Sequence, residues 1–154
     1  MEVDYIELDV AELVRQAAGF FESRAVDLGI DFQVQAESEV WAELDADHHS
    51  RVLLNLLSNE FKVTPEGGVV RCGVRRGADA QVVIEVADSG PGIPLELREV
   101  IFERFRQLDG GPARKLPGTG LGLSIVRDIV DLLCGDIEVA TAPEGGALFA
   151  SRCR

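Results

Sequence analysis

Two glycine-rich strings, Asp88-Ser-Gly90-Pro-Gly92-Ile93 and Gly118-Thr-Gly120-Leu-Gly122-Leu123, constrain this chain more than any other feature. Glycines at alternate positions let a backbone turn tightly and pass close to a ligand. Neither string is a dinucleotide fingerprint: after Gly118 and Gly120 the next glycine is Gly122, where position 123 is required, and a Pro-containing polar loop rather than a strand comes before them. No phosphate-cradling G-x-x-x-x-G-K-[ST] occurs either.

The chain has 154 residues, 46% of them apolar, which suits one hydrophobic core and is too short for two ordinary domains. A net charge of −12 with no run of Lys and Arg argues against a nucleic-acid partner, because a phosphate-tracking surface needs a basic stripe. The positive charge that exists clusters locally: Arg104, Arg106, Arg114 and Lys115 lie between the two glycine strings, as suits a loop that meets a polyphosphate. Cys72, Cys134 and Cys153 are odd in number and widely spaced, so neither a disulfide framework nor a zinc site is indicated, in keeping with a reducing cytoplasm. No apolar run approaches a membrane span, and the N-terminus lacks the layout of a signal peptide.

Patterning predicts a mixed fold. A strand near Tyr5 to Leu8 leads to Asp9, which can cap a helix with Glu12 in the capping-box position. Val10, Leu13, Val14, Ala17, Phe21, Ala25 and Leu28 then recur at helical spacing, and Gly29 ends that single long helix. Strands near Asp31 to Ala36 and Val40 to Glu43 precede a helix from about Asp47 to Lys62. Val69 to Arg75 and Gln81 to Ala87 read as a hairpin joined through Gly77. A short helix started by Pro94 runs into Phe102, a second helix spans about Gly120 to Cys134 and stops at Gly135, and strands near Asp136 to Ala142 and Ala147 to Arg152 close the chain. Strands and helices mix without regular alternation, which implies an α+β two-layer sandwich: a mostly antiparallel mixed sheet with about three helices on one face.

On the 47 to 62 helix, His48, Arg51, Asn55, Asn59 and Lys62 share a polar arc, opposite Leu53, Leu56 and Leu57. That segment, Asn55-Leu-Leu-Ser-Asn59-Glu-Phe-Lys62-Val-Thr64, and a further one, Ile101-Phe102-Glu-Arg-Phe105, combine with the glycine strings in a fixed order. In these four segments the chain resembles the catalytic ATP-binding domain of sensor histidine kinases, whose N, G1, F and G2 boxes they match, and the likeness runs from about Asp4 onward. It implies a Bergerat-type ATP-binding fold over one domain, 1–154, with the histidine-bearing dimerisation domain as a partner outside this chain and a response regulator as an indirect one.

The resemblance also assigns roles. Asn59 is the Mg²⁺ ligand, whose amide oxygen adds no negative charge beside a triphosphate; Asn55 supports it and Lys62 reaches a phosphate. Asp88 accepts a hydrogen bond from the exocyclic amine of adenine, with Gly90, Gly92 and Ile93 forming the turn against the base. Gly118, Thr119, Gly120, Leu121, Gly122 and Leu123 form the lid hinge and the helix start that meets phosphates, and Arg106, Arg114 and Lys115 are candidate lid contacts. In the gyrase, mismatch-repair and chaperone ATPases of this fold, the position four before the Mg²⁺-binding asparagine is a glutamate acting on the nucleophile; here it is Asn55, which cannot be a general base. Such a site suits a protein-histidine kinase, where the attacking imidazole already carries a lone pair and the domain positions the phosphates.

His48 and His49 are the histidines of the chain, and their context, Asp-His-His-Ser-Arg, lacks the acidic residue that follows a phosphoacceptor histidine. Glu60 departs from the family pattern, in which alanine or glycine follows the Mg²⁺-binding asparagine and lines the adenine pocket. The helical wheel puts it in the apolar arc beside Leu53 and Leu57, where a carboxylate is costly unless neutralised or paired. Two outcomes are open at this point: Glu60 turns to solvent or to a cation and leaves the pocket free, or it obstructs the base. The second outcome carries a second reading of the whole chain, a degenerate domain that acts as a regulatory interaction module without phosphoryl transfer.

Overall fold

The computed structural model describes residues 2–36, 39–103 and 122–153. A five-stranded sheet in the order β2-β4-β5-β7-β6 carries the fold, with β2 (Asp31–Ala36), β4 (Val69–Arg76), β5 (Val82–Asp88), β6 (Asp136–Thr141) and β7 (Ala147–Cys153). Every pairing is antiparallel except β2 with β4. Two short strands, β1 (Ile6–Asp9) and β3 (Trp41–Leu44), form a separate antiparallel ribbon. Helices α1 (Val10–Gly19), α3 (Ala46–Val63) and α4 (Gly122–Leu132) bury their apolar sides with the inward residues of the sheet in one core, and α2 (Glu22–Leu28) lies beside β2. This is the expected α+β two-layer arrangement, with helices on one face of the sheet.

Register explains which side chains reach that core. Val70, Cys72 and Val74 of β4 stand opposite Asp88, Val86 and Ile84 of β5, and because side chains alternate along a strand, all six belong to one face. The opposite face is polar: Arg71 and Arg75 of β4 pair with Glu85 of β5 at 3.7 and 3.3 Å. Asp88 is therefore the last residue of a central strand on the helix-facing side, which makes it a buried carboxylate.

Four local expectations are corrected. The long first helix is two, α1 and α2, broken at Phe20-Phe21: the N–H of each closes on the carbonyl three residues earlier, Phe20 is left exposed, and Phe21 turns inward to stack on Phe61 of α3 at 5.3 Å. The apolar spacing stays in phase across the break, so periodicity could not reveal it. Asp9 does cap α1, but its carboxylate takes the N–H groups of Ala11 and Val40, while Glu12 turns to Arg15 rather than closing a capping box. The segment after Pro94 forms two separate 3-10 turns, Leu95–Leu97 and Val100–Phe102, instead of a helix. The β4–β5 hairpin joins through Gly77 as expected, with Asp79 and Ala80 as its left-handed residues, whereas Cys134, with φ 57, and not Gly135 makes the left-handed turn after α4. Gly135 is needed for another reason: a Cβ there would meet the Arg152 carbonyl oxygen at 2.7 Å.

Candidate functional site

Helix α3 starts at Asp45, whose carboxylate accepts from the N–H groups of His48 at 2.9 Å and of Asp4 at 2.6 Å and lies 2.9 Å from the His48 ring. Burial alone would raise this carboxyl, but those donors hold it down at about 2. His48 consequently belongs to the buried helix cap and not to the open polar arc where the sequence placed it. His49 is also buried; its Nδ1 lies 3.0 Å from the Asp45 carbonyl oxygen, so this nitrogen carries the proton, and burial lowers the ring below its ordinary value. Neither histidine is placed to attack a phosphate.

Farther along α3 the polar arc is as expected. Arg51 and Lys62 are exposed, and Asn55 and Asn59 are half-buried. The Asn55 amide nitrogen donates to the Arg51 carbonyl at 2.9 Å, which leaves its oxygen as a fixed acceptor; that oxygen lies 3.8 Å from where a Gly122 Cβ would stand. The N segment and the near end of the second glycine string thus meet, and Leu123 packs against the core. Gly118, Thr119, Gly120 and Leu121, together with Arg104, Arg106, Arg114 and Lys115, lie outside the described residues.

At the end of β5, the Asp88 Oδ1 accepts from the Gly90 N–H at 2.7 Å and from the Ala147 N–H at 3.4 Å. The Gly146 N–H donates to the Asp88 carbonyl at 2.9 Å. A Cβ on Gly146 would fall 2.0 Å from Asp88 Oδ1, and one on Gly90 would fall 3.0 Å from that atom and from the Val63 carbonyl, so the backbone closes directly around this carboxylate. Gly92 takes φ +75, which favours glycine, and Ile93 is buried in the core. Gly146 was not foreseen as a site residue. Gly145, with φ +107, already supplies the turn's left-handed residue, so the second glycine of Pro-Glu-Gly-Gly was the available signal of a close backbone approach.

The Ile101-Phe102 segment anchors in the core. Phe102 meets Phe149 of β7 edge to face at 6.3 Å and carries the Arg127 guanidinium of α4 4.7 Å above its ring.

Glu60 settles the question its position raised. It is fully buried rather than turned to solvent, and among the described residues it is not paired with a cation. Among the described residues both Glu60 oxygens and Asp88 Oδ2 lack a conventional donor. Burial first, and then Asp88 itself, raise the Glu60 carboxyl well above its ordinary value, against a smaller opposing effect of the Asn59 amide. A buried carboxyl raised in this way favours its neutral form.

These residues fit a purine nucleotide at one point above all: Asp88 offers a single buried oxygen not committed to the backbone, which is the chemistry an exocyclic amine needs. For a hard cation beside phosphates, α3 offers the neutral amide oxygens of Asn55 and Asn59. No cluster of His, Cys, Asp or Glu suited to a metal ion exists among the described residues, so an ion here would take most of its ligands from phosphate and water.

Residues 44–152 match the family described as histidine kinase-, DNA gyrase B-, and HSP90-like ATPase. The sensor histidine kinase TmoS of Ectopseudomonas mendocina is 44% identical over 97% of this chain, which spans 15% of that protein's length. Among solved structures, full-length ShkA in complex with AMPPNP superimposes with a TM-score of 0.87 at 30% identity, over 99% of this chain and 31% of that one. Histidine kinase ThkA in complex with response regulator protein TrrA gives 0.81 at 29% identity, over 97% of this chain and 41% of that one.

Proposed function

We propose a phosphoryl-transfer function for this chain, which belongs to the histidine kinase-, DNA gyrase B-, and HSP90-like ATPase family: it binds ATP with Mg²⁺ and presents the γ-phosphoryl group to a histidine on a separate dimerisation domain. The whole protein is then a sensor histidine kinase whose phosphohistidine serves a response regulator. The observation that carries the proposal is Asp88, with Oδ1 fixed by Gly90 and Ala147 and Oδ2 buried without a conventional donor among the described residues.

The chain's own residues divide the work. Asp88 Oδ2 receives the adenine amine, and the Gly90 to Ile93 turn and Gly146 shape the floor around it. Asn59 would hold the Mg²⁺ with Asn55 supporting it, the ion would neutralise phosphate charge, and Lys62 meets a phosphate as a point charge. In the transfer, a lone pair of the partner's imidazole nitrogen forms the new N–P bond as the bond from phosphorus to the bridging oxygen of ADP breaks, and the electron pair leaves with ADP. No proton has to be removed first, so Asn55 in place of a glutamate is no handicap, and positioning is the main contribution. Gly118 to Leu121, with Arg106, Arg114 and Lys115, complete the phosphate side in this proposal. Nothing in the comparisons favours the second reading, a degenerate domain without phosphoryl transfer.

Calorimetric titration with a non-hydrolysable ATP analogue and Mg²⁺ tests the proposal. Saturable binding is expected, and Asp88→Asn, which replaces the charged acceptor with an amide, weakens it about 10- to 100-fold. Equal affinity in the two proteins sinks the adenine role of Asp88.

A further inference from the structure

We infer that a second ligand site lies at the end of the sheet away from Asp88, in a cavity walled by His49, and that its ligand is a small organic amine in its ammonium form.

The cavity has a volume of about 710 Å³, ample for a small molecule. It opens where the β1–β3 ribbon meets the start of α3 and the turn after α4, and Tyr5, Glu43, Leu44, His49, Leu133 and Asp136 supply its chemistry. The seven residues of β5 run from this end to Asp88, and at about 3.3 Å each they put the two places about 20 Å apart. His49 marks the cavity as a site. It is 3% exposed, its Nδ1 proton is committed to the Asp45 carbonyl oxygen, and burial keeps the ring neutral. Nε2 therefore carries a lone pair, and it has no hydrogen-bond partner among the described residues. An acceptor on so buried a ring calls for a donor from whatever enters the cavity.

Charge selects among donors. Glu43 stands directly opposite Glu7 in the ribbon, a like-charge pair that costs stability and that a cation beside Glu43 relieves. Asp136 adds a further carboxylate; the guanidinium of Arg152 lies 3.8 Å from it and is shared with Glu138. In a chain of net charge −12 such a rim repels anions, so this is not a second place for a nucleotide phosphate. Imidazole, thiol and carboxylate groups all line the cavity, but no group of them suited to a metal ion exists among the described residues. An ammonium group on an apolar body meets every requirement. It gives His49 Nε2 an N–H and brings Glu43 and Asp136 a positive charge, while Leu44 and Leu133 take the apolar body and the half-exposed Tyr5 ring offers its face to the cation.

Phenethylamine, 2-phenylethanol and phenylacetate share one body and differ in the charge of the terminal group. The test titrates the whole chain with each at neutral pH by calorimetry and follows the backbone amides by NMR. Phenethylamine is expected to bind saturably and at least about tenfold more tightly than the alcohol, with phenylacetate weaker still. It shifts the amides of His49 and of Cys134 to Asp136, while those of Gly90 and Gly92 stay in place. Glu43→Gln, at an exposed position, weakens the amine about tenfold and leaves the alcohol unchanged. His49→Leu removes the acceptor and weakens both amine and alcohol; should it not fold, Glu43→Gln and the amide shifts decide. No saturable binding of phenethylamine, equal affinity for the alcohol, unchanged affinity in Glu43→Gln, or shifts centred on Gly90 would each overturn the inference. No nucleotide is present in these measurements, so their result is independent of the role given to Asp88.

Discussion

Asp45 joins a helix start to the chain's first residues, and its chemistry gives a pH-dependent contribution with a definite sign. The folded carboxyl is depressed from 3.8 to about 2, so its contribution is present above the unfolded value and is lost as pH falls towards about 2. Asp45→Ala removes the acceptor for the His48 and Asp4 N–H groups and should cost about 1–2 kcal/mol at neutral pH. Urea titrations of both proteins at neutral pH and near pH 2 check this: the gap between them closes in acid. A gap that stays constant would show that the carboxylate's charge is irrelevant to the cap. Glu60 has the opposite sign: burial, and then Asp88, raise its carboxyl.

The turn between β6 and β7 shapes the Asp88 site although it contributes no side chain to it. Gly146 closes on Asp88 by its backbone, and Glu144 of the same turn is tied to Arg71 of β4 at 2.6 Å. That ion pair is mostly shielded from water, and the Arg71 guanidinium lowers the Glu144 carboxyl below its ordinary value. Arg71 also meets Glu85, so one side chain couples β4, β5 and the turn. Arg71→Ala should therefore destabilise the fold by about 2 kcal/mol and, by loosening Gly146, weaken binding of the ATP analogue. A thermal melt and a titration measure the two effects separately. Loss of stability with unchanged affinity would mean that the turn does not support the site.

Across the molecule, the distribution of the cysteines reports on how the layers pack. Cys72 lies between the sheet and the helices and Cys153 at the end of β7, and burial pushes their thiols up to about 12 and about 11. Cys134 is exposed at the turn after α4. A thiol reagent on the native protein should consume one equivalent quickly and three after unfolding, since an inaccessible, protonated thiol does not react. Rapid reaction of a second thiol would contradict the packing of α3 and α4 on the sheet.

The order and type of most elements were legible in the sequence, because they depend on local physics. Alternation marked β4 and β5, helical spacing and a cap marked α3, and Gly29, with φ +67, stopped α2. That Asn55, Asn59, Lys62 and Asp88 belong to one site is what the resemblance of the four segments implies. The break at Phe20 and Phe21 was not legible, since it arises from stacking on Phe61, a residue far along the chain that leaves no mark on the periodicity of α1. Gly146 and Glu60 failed for a related reason. The sequence identified Glu60 as a carboxylate on an apolar arc and left its fate open; only the packing of α3 against the sheet decided that it is fully buried. Patterns along the chain determine which way a side chain points, and the packing of distant elements determines what it finds there.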